Sequence, residues 1–598
     1  MCLAVYAAAC RAAGAPASAF VEIGTAAAAV LLVRMIPAAV AAVCGRNRRG
    51  RLIRAALCSS ILILAGLKSL SLHAANCFEI GVRSSGIINY ASDNYVKAMI
   101  GSDAAGVRKI VDEAEPGEVF YRYSGRDLTN NYSVLHNVSN TQYFWSLSDA
   151  SIVRFFTETG QGNASVDIYD SLDNRTMLDE IAGVKYYERS DGSLLPFGYH
   201  KLEGHKYDSA ELFSGEEEED LPFFRFAVHK NEYALPLGFT SDRAIAHSDW
   251  EKLSIPRRQE ALMQGVVLED GELSAADYGE TCRVEELSFT EKSPAYTLET
   301  EEGTDVRRLE DGRTQIVVTD TDTPVRLVME DRDDTAGVET SVLLTGVSYE
   351  ELTGKDLERG VAALKEKLTA EAEKNGTAAP DHVGLERPVE SVKVIVKAKR
   401  DGRSVSRKEV AVPMEYSMWG TGREDFLSCC GWSDTALDGI SLTFSHCGVY
   451  TFQDLKVICQ PMEDYPAQVE KFRSCVLEDL DLHELEECGA TSRITGHVTI
   501  PGEEPGSGEV SSPERQGKRI LCLQIPRRRG MQAFVDGKKA SLLQADTMFS
   551  ALVLEPGKHE IELRYRTPGL AAGVMISLLA WILFIAGIIV ESGRKIGI

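Results

Sequence analysis

Two aspartates one residue apart are the first place in this chain where chemistry could be done. Asp320-Thr321-Asp322 has the DxD form, in which paired carboxylates share a divalent ion against a diphosphate. The pair falls between two expected strands and runs into Thr323-Pro324, so a turn is the preferred reading. Asp331, Asp333 and Asp334 carry the same ambiguity. His200 and His205 stand at a spacing that a zinc site could use, but no cysteine pair accompanies them. The sequence contains no HExxH, Walker loop or GxSxG elbow. No catalytic residue is assigned. No cofactor is called for, with a divalent metal left open.

The densest aromatic and polar stretch is Asn140-Thr141-Gln142-Tyr143-Phe144-Trp145, followed by Asp149 and Arg154. Flat aromatic faces stack on sugar rings, and amide and guanidinium donors beside them bond hydroxyls. Asn140, Tyr143, Trp145 and Arg154 are therefore candidate carbohydrate contacts. Core packing of the aromatics in a mixed α/β domain is the alternative.

The elements that must position these residues are organised around the C-terminal end. Ala533-Phe534-Val535 enters an Asp536-Gly537 turn, strands follow at Met548 to Leu554 and His559 to Tyr565, and Pro568-Gly569 ends the sheet. Leu570 to Val590 is then 21 residues without a charge. At the α-helical rise that is about 31 Å, enough to span a bilayer core. Arg594 and Lys595 place its end in the cytoplasm and the preceding β-domain outside.

At the other end two apolar runs, about Phe20 to Cys44 and Ala55 to Leu72, flank Arg46, Arg48, Arg49, Arg51 and Arg54. The arginines mark a cytoplasmic loop, which predicts the N-terminus outside, three spans and the bulk of the chain extracytoplasmic. A signal peptide fits less well, because its basic residues precede the apolar run. Arg34 within the first run is either a functional mid-membrane charge, in contact with a lipid phosphate, or lies nearer the end of a shifted span.

Between these ends lie mixed α/β texture, then short alternating strands. Helical spacing covers Asn94 to Glu115 and Asp149 to Thr159, with strands at Glu118 to Tyr123 and within Phe223 to Phe239. The acidic run Glu216 to Asp220 reads as a solvated loop. Strands are expected at Arg283 to Phe289, Ala295 to Thr300, Gln315 to Thr319, Val325 to Glu330 and Thr340 to Val347, a sandwich pattern. A charged helix follows over Ser348 to Gly376, a hairpin turn at Asp401-Gly402 and a linker helix around Tyr465 to Phe472. The fold class expected is a membrane-anchored multidomain protein: two N-terminal transmembrane helices (1–75), an extracytoplasmic mixed α/β domain (76–255), a β-sandwich with an inserted helix (256–472), a C-terminal β-sandwich (473–567), and one C-terminal transmembrane helix with its tail (568–598).

The chain has 598 residues and a formal net charge of −25. So acidic an exterior argues against nucleic acid as a partner. Nine cysteines lie beyond the first two runs, an odd number, and read mostly as small buried hydrophobes.

The C-terminal run Phe534-Val535-Asp536-Gly537-Lys538-Lys539, then Leu554-Glu555-Pro556-Gly557-Lys558-His559-Glu560-Ile561-Glu562-Leu563, Tyr565 and Pro568-Gly569 resembles the YfhO family of bacterial membrane proteins. Phe120-Tyr121-Arg122, Ser139 to Phe156, Gly183 to Tyr187, Asn231 with Ala234 to Phe239, and Arg423 to Leu427 resemble it in the same order. The resemblance covers roughly residue 55 to the end. It implies a polytopic glycosyltransferase that takes sugar from a lipid-phosphate carrier and modifies envelope polymers such as teichoic acids. The family carries more spans, with its carboxylate expected in an early exterior loop. Here the stretch up to about residue 20 has no Asp or Glu, and Glu22 lies in the first run.

The reading is therefore an extracytoplasmic acceptor- or polymer-binding half of a YfhO-like glycosyltransferase, its catalytic multi-span half absent from this chain. The alternative is a membrane-tethered structural or carbohydrate-binding module without activity. Expected partners are membrane lipid, an envelope glycopolymer, a multi-span subunit and, through it, a polyprenyl-phosphate sugar.

Overall fold

The computed structural model describes residues 102–596, apart from 126–130, 163–167, 190–191, 206, 209–224, 277, 279–280, 381, 390, 415–420, 484–490 and 503–516. The two expected N-terminal spans, and Arg34 with them, lie outside the described residues. What is described is mostly sheet, ending in the helix Leu570–Ile596. Its stretch Leu570–Gly587 has a mean hydropathy of 2.3 and is nowhere buried against protein. By length and composition this helix can cross a membrane.

The first sheet runs Ser139–Asn140, Arg122–Ser124, Val184–Arg189, Arg225–Asn231, Tyr199–Lys201, with Tyr207–Asp208 beside Arg225–Asn231. Its first three strands are parallel and the rest antiparallel. The helix Asp103–Ala114 presents Val107, Ile110 and Val111 to Tyr123, Tyr186 and Val228 of this sheet. That is the i, i+3, i+4 stripe of an amphipathic helix on a half-buried sheet.

A second sheet joins distant parts of the chain. Its order is Ala244–Ala246, Val266–Leu268, Leu543–Ala545, Phe549–Leu554, Arg519–Pro526, Gly238–Ser241. Side chains of a strand alternate between faces, and here both faces are buried. Ile520 and Cys522 face a core that also holds Phe155, Phe156 and Ile181, while Leu521 and Leu523 face Val498, Ile561 and Leu563. The latter belong to a five-stranded sheet of order Glu478–His483, Thr491–Ile500, Gly557–Arg566, Met531–Val535, Lys538–Ala540. The expected C-terminal strands thus do form two layers, but one layer is completed by strands from residues 238–268.

The middle of the chain is a sandwich. One sheet is ordered Tyr296–Glu299, Val325–Met329, Gly439–Phe444, Ser391–Arg400, Arg403–Pro413. Across from it lie the sheets Thr304–Arg308, Thr314–Val318, Gly448–Phe452, Ser348–Glu350 and Phe426–Ser433, Val338–Thr345, Asp454–Pro461. Val392, Val394, Val396 and Ala398 are buried alternately along one strand and meet Val342, Leu344 and Phe426 in a common core. The hairpin turn Asp401-Gly402 has φ of 52° and 72°, left-handed at both positions as a type I′ turn requires. Asp536-Gly537 repeats it, with φ of 51° and 73°. The helix Gly354–Asn375 ends at Gly376, φ 66°, with Thr377 donating back to Ala372 O.

Two local expectations are corrected. Arg283 to Phe289 is not a strand: it holds a 3-10 turn at Val284–Glu286, because Glu286 and Leu287 donate to Arg283 O and Val284 O within the segment. The helix Tyr465–Arg473 is no linker, since Tyr465, Val469 and Phe472 are buried in the core beneath the second sheet. Of the cysteines among the described residues, Cys282, Cys429, Cys430, Cys459, Cys475 and Cys522 are free and buried, and Cys447 is free and half-buried.

Candidate functional site

The aromatic stretch sits on the two-stranded ribbon formed by Gln142–Phe144 and Ile168–Asp170. Its side chains divide along the chain, with Gln142 and Tyr143 covered and exposure beginning at Phe144. Tyr143 turns inward, its ring stacked on Tyr169 at 4.4 Å and packed against the central core, and burial pushes its phenol up. Gln142 is buried and its Oε1 accepts from Gly125 N at 3.1 Å. Phe144 and Trp145 emerge, 39% and 55% exposed. The edge is fastened by Asn131, which accepts from Phe144 N and donates to Phe144 O, both at 2.9 Å. Ser148 Oγ donates to Trp145 O at 3.3 Å. Asn140 lies on the neighbouring strand, paired through its backbone with Tyr123.

Asp149 caps the helix Ala150–Glu158 by accepting from Ser151 N at 3.0 Å, and its other oxygen meets Arg528 Nε at 3.3 Å. Arg154, on that helix, is committed to neighbours. Its Nε donates to Glu158 at 2.8 Å, one terminal nitrogen donates to Glu269 at 2.7 Å, and the other lies 2.8 Å from His247 Nε2. Glu158 also accepts from Thr547 Oγ1 at 2.6 Å and lies 2.9 Å from His247 Nε2. The hydrogen bond to Glu158 raises the His247 imidazole above its ordinary value. Burial pushes the Glu158 carboxyl up, yet the bonds to His247 and Thr547 outweigh it and hold the group low. Of the four candidate contacts, Trp145 is thus presented to solvent, Tyr143 packs inward, Arg154 is held in an ion-pair network, and Asn140 stands one strand away. Beside this edge Val134, Leu135 and Leu147 are exposed, 78%, 55% and 83%. The sequence carried no signal for them, because neither the single helical turn Tyr132–Leu135 nor the bend at Leu147 is long enough to show a periodicity from which exposure can be read.

The DxD pair is a turn. Asp320 Oδ1 accepts from Asp322 N at 3.1 Å, and Lys367 of the long helix reaches both carboxylates. Asp331 likewise caps a 3-10 turn through Asp333 N at 3.0 Å. His200 and His205 face different carboxylates, Glu232 at 3.3 Å and Glu113 at 3.8 Å. Among the described residues no three metal-ligating side chains come together.

Several residues that carry the family resemblance are fastenings. Arg122 donates to Ala182 O at 2.6 Å and to Gln524 O at 2.5 Å, tying the first sheet to the second. Gly183 lies at φ 67°, where a Cβ would stand 2.1 Å from Gln524 Oε1. Asn231 donates to the buried Glu180 at 2.9 Å, as does Tyr465 Oη at 2.7 Å. Arg423 of the sandwich reaches Thr157 Oγ1 and Gln161 O, each at 3.1 Å. Nearby Leu427 donates to Gly160 O at 2.9 Å, and Glu339 accepts from Thr176 N at 2.9 Å. The ribbon therefore rests on a body whose two halves are joined by buried polar bonds rather than a hinge.

The family model described as bacterial membrane protein YfhO matches residues 17–353 and 503–577. The uncharacterized protein YfhO of Bacillus subtilis (strain 168) is 24% identical over 146 residues, which make up 24% of this chain and only 15% of that protein. Among solved structures, a point mutant of arabinofuranosyltransferase AftD from Mycobacteria aligns with 79% of this chain and 64% of its own at 9% identity, with a TM-score of 0.27. The CBM22-1–GH10 modules of Clostridium thermocellum xylanase 10B, complexed with xylohexaose, align over 29% of each chain at 11% identity, with a TM-score of 0.16. TM-scores this low do not establish a shared fold.

Proposed function

The chain belongs to the YfhO family of bacterial membrane proteins, and from that premise we propose that it is the extracytoplasmic, polymer-binding part of a membrane glycosyltransferase acting on envelope glycopolymers. In this reading the exterior body holds an acceptor polymer such as teichoic acid beside the bilayer. A multi-span partner supplies the polyprenyl-phosphate sugar and the transfer step. The bulk of the chain lies outside the cell membrane, with the N-terminal runs and the terminal helix crossing it.

The observation that supports the reading is the exposed Trp145 next to Phe144 on a ribbon fixed from behind by Asn131 and the Tyr143–Tyr169 stack. An aromatic side chain presented in solvent from a fastened backbone offers a sugar ring contact with little backbone ordering required. Base–aromatic and sugar–aromatic stacking differ in partner, but both need such a face, and the acidic chain disfavours the nucleic-acid version.

The test uses the full chain in detergent micelles with purified wall teichoic acid. Trp145→Ala should weaken polymer binding by about tenfold, roughly the 1.4 kcal/mol within reach of one aromatic contact, while the thermal midpoint stays within about a degree of the parent's, as for a surface substitution. Binding that is unchanged in Trp145→Ala and Phe144→Ala alike refutes the reading.

A further inference from the structure

Where the body meets its terminal helix, the charge of the chain reverses. Arg527-Arg528-Arg529 is a run of three arginines in a chain whose formal net charge is −25. The run is fixed against the base of the helix. Arg566 N donates to Gly530 O at 3.0 Å, and Gly530, at φ 95°, packs so closely that a Cβ there would stand 2.2 Å from Arg566 O and 3.1 Å from Pro568. Only glycine fits that approach. From Arg566 to Leu570, where the helix starts, is four residues, at most about 14 Å of extended chain. The bilayer's polar headgroup layer is about 5–7 Å thick on each side. The arginine run is thereby held at, or just above, the depth of the lipid phosphates.

The run lines an open groove of about 670 Å³ together with Lys539, Ser541 and Gln544. Two of its charges are partly answered: Arg527 by Glu272 at 2.7 Å, and Arg528, still 48% exposed, by Asp149 at 3.3 Å. Arg529 is exposed and forms no ion pair among the described residues. On the other side of Arg528 and Met531 lies an apolar groove of about 300 Å³ that includes Ile494, Ile525, Pro526 and Leu563. Guanidinium groups bond phosphate oxygens strongly, and an apolar groove beside them takes the upper part of an acyl chain.

We propose that the Arg527–Arg529 groove binds the headgroups of anionic phospholipids in the bilayer that the terminal helix enters, and so seats the body on the membrane surface. The acidic remainder of the chain would otherwise be repelled by an anionic leaflet. This inference rests on family membership and the terminal helix, and is independent of any sugar contact at Trp145.

The experiment is amide hydrogen exchange on the full chain in nanodiscs of phosphatidylcholine alone or with phosphatidylglycerol. Exchange at residues 527–533 should slow by about fivefold or more when phosphatidylglycerol is present, from the attraction expected of one arginine near an anionic surface. The strand Phe549–Leu554, measured in the same samples, reports whether the fold is intact. The slowing should be lost in Arg529→Gln, whose side chain forms no ion pair among the described residues, and should not appear when inorganic phosphate is added to phosphatidylcholine nanodiscs. Equal exchange in the two lipids overturns the proposal. So does slowing that survives in Arg529→Gln with Lys539→Gln, or slowing that inorganic phosphate alone reproduces.

Discussion

Replacing Glu180 by Gln should change how the stability of this protein depends on pH. Glu180 is fully buried on the helix Thr176–Ile181, with Tyr465 Oη at 2.7 Å and Asn231 Nδ2 at 2.9 Å on its carboxylate. Burial pushes this carboxyl from 4.5 up to about 7, against the pull of those two hydrogen bonds. A carboxyl raised on folding holds its proton in the native state over a range where the unfolded chain has lost it. Stability therefore falls as pH rises from about 4.5, and the loss is complete above about 7. At 1.36 kcal/mol per pKa unit the loss is on the order of 3 kcal/mol. Gln keeps the acceptor oxygen toward Tyr465 and Asn231 but cannot ionise. The assay is thermal unfolding of the full chain in detergent, followed by intrinsic fluorescence, for parent and Glu180→Gln at pH 5 and pH 8. The variant should gain several degrees relative to the parent at pH 8 over its position at pH 5. A difference between the two proteins that is the same at both pH values would refute the reasoning, because the cost would then not come from ionising a buried group.

Two further outcomes follow from the same packing. Tyr143→Ala should lower stability by roughly 1–3 kcal/mol, because it removes a ring stacked on Tyr169 and packed on the core, whereas Trp145→Ala should cost less than about 0.5 kcal/mol; equal losses in chemical denaturation would show that both rings are structural. Cysteine labelling of intact cells tests the proposed orientation: a probe at Gly50 should be shielded and one at Ser507 should react, and the reverse pattern places the body in the cytoplasm.

Much of the local structure is written in the sequence, because its causes are local. The hairpin turns at Asp401-Gly402 and Asp536-Gly537 need left-handed backbone, and the residues that tolerate it stand there. The alternation in Ser391–Arg400 marks a strand with one wet face, and the uncharged run after Pro568-Gly569 marks a helix fit for lipid. The motifs of the family could be quoted in order because each is a contiguous string.

Pairing between distant segments was decided only by the tertiary structure. Arg519–Pro526 reads as a short apolar run, and nothing within it says that Gly238–Ser241 lies along its edge, or that its two faces meet two different cores. Helix Tyr465–Arg473 has the weak amphipathicity of a connector, and only the assembled body shows Tyr465 reaching Glu180. The same holds at the candidate site. Composition brought Asn140, Tyr143, Trp145 and Arg154 together, but exposure is a property of what covers a residue: Tyr143 lies under Tyr169 and against the core, while Trp145, just past the end of the strand, stays in solvent. The sequence by itself determined which chemical groups are present and where the chain can enter a membrane, since both follow from residue type and short-range order. Which of those groups remain free to meet a ligand depended on contacts between residues hundreds of positions apart, and those the fold alone supplies.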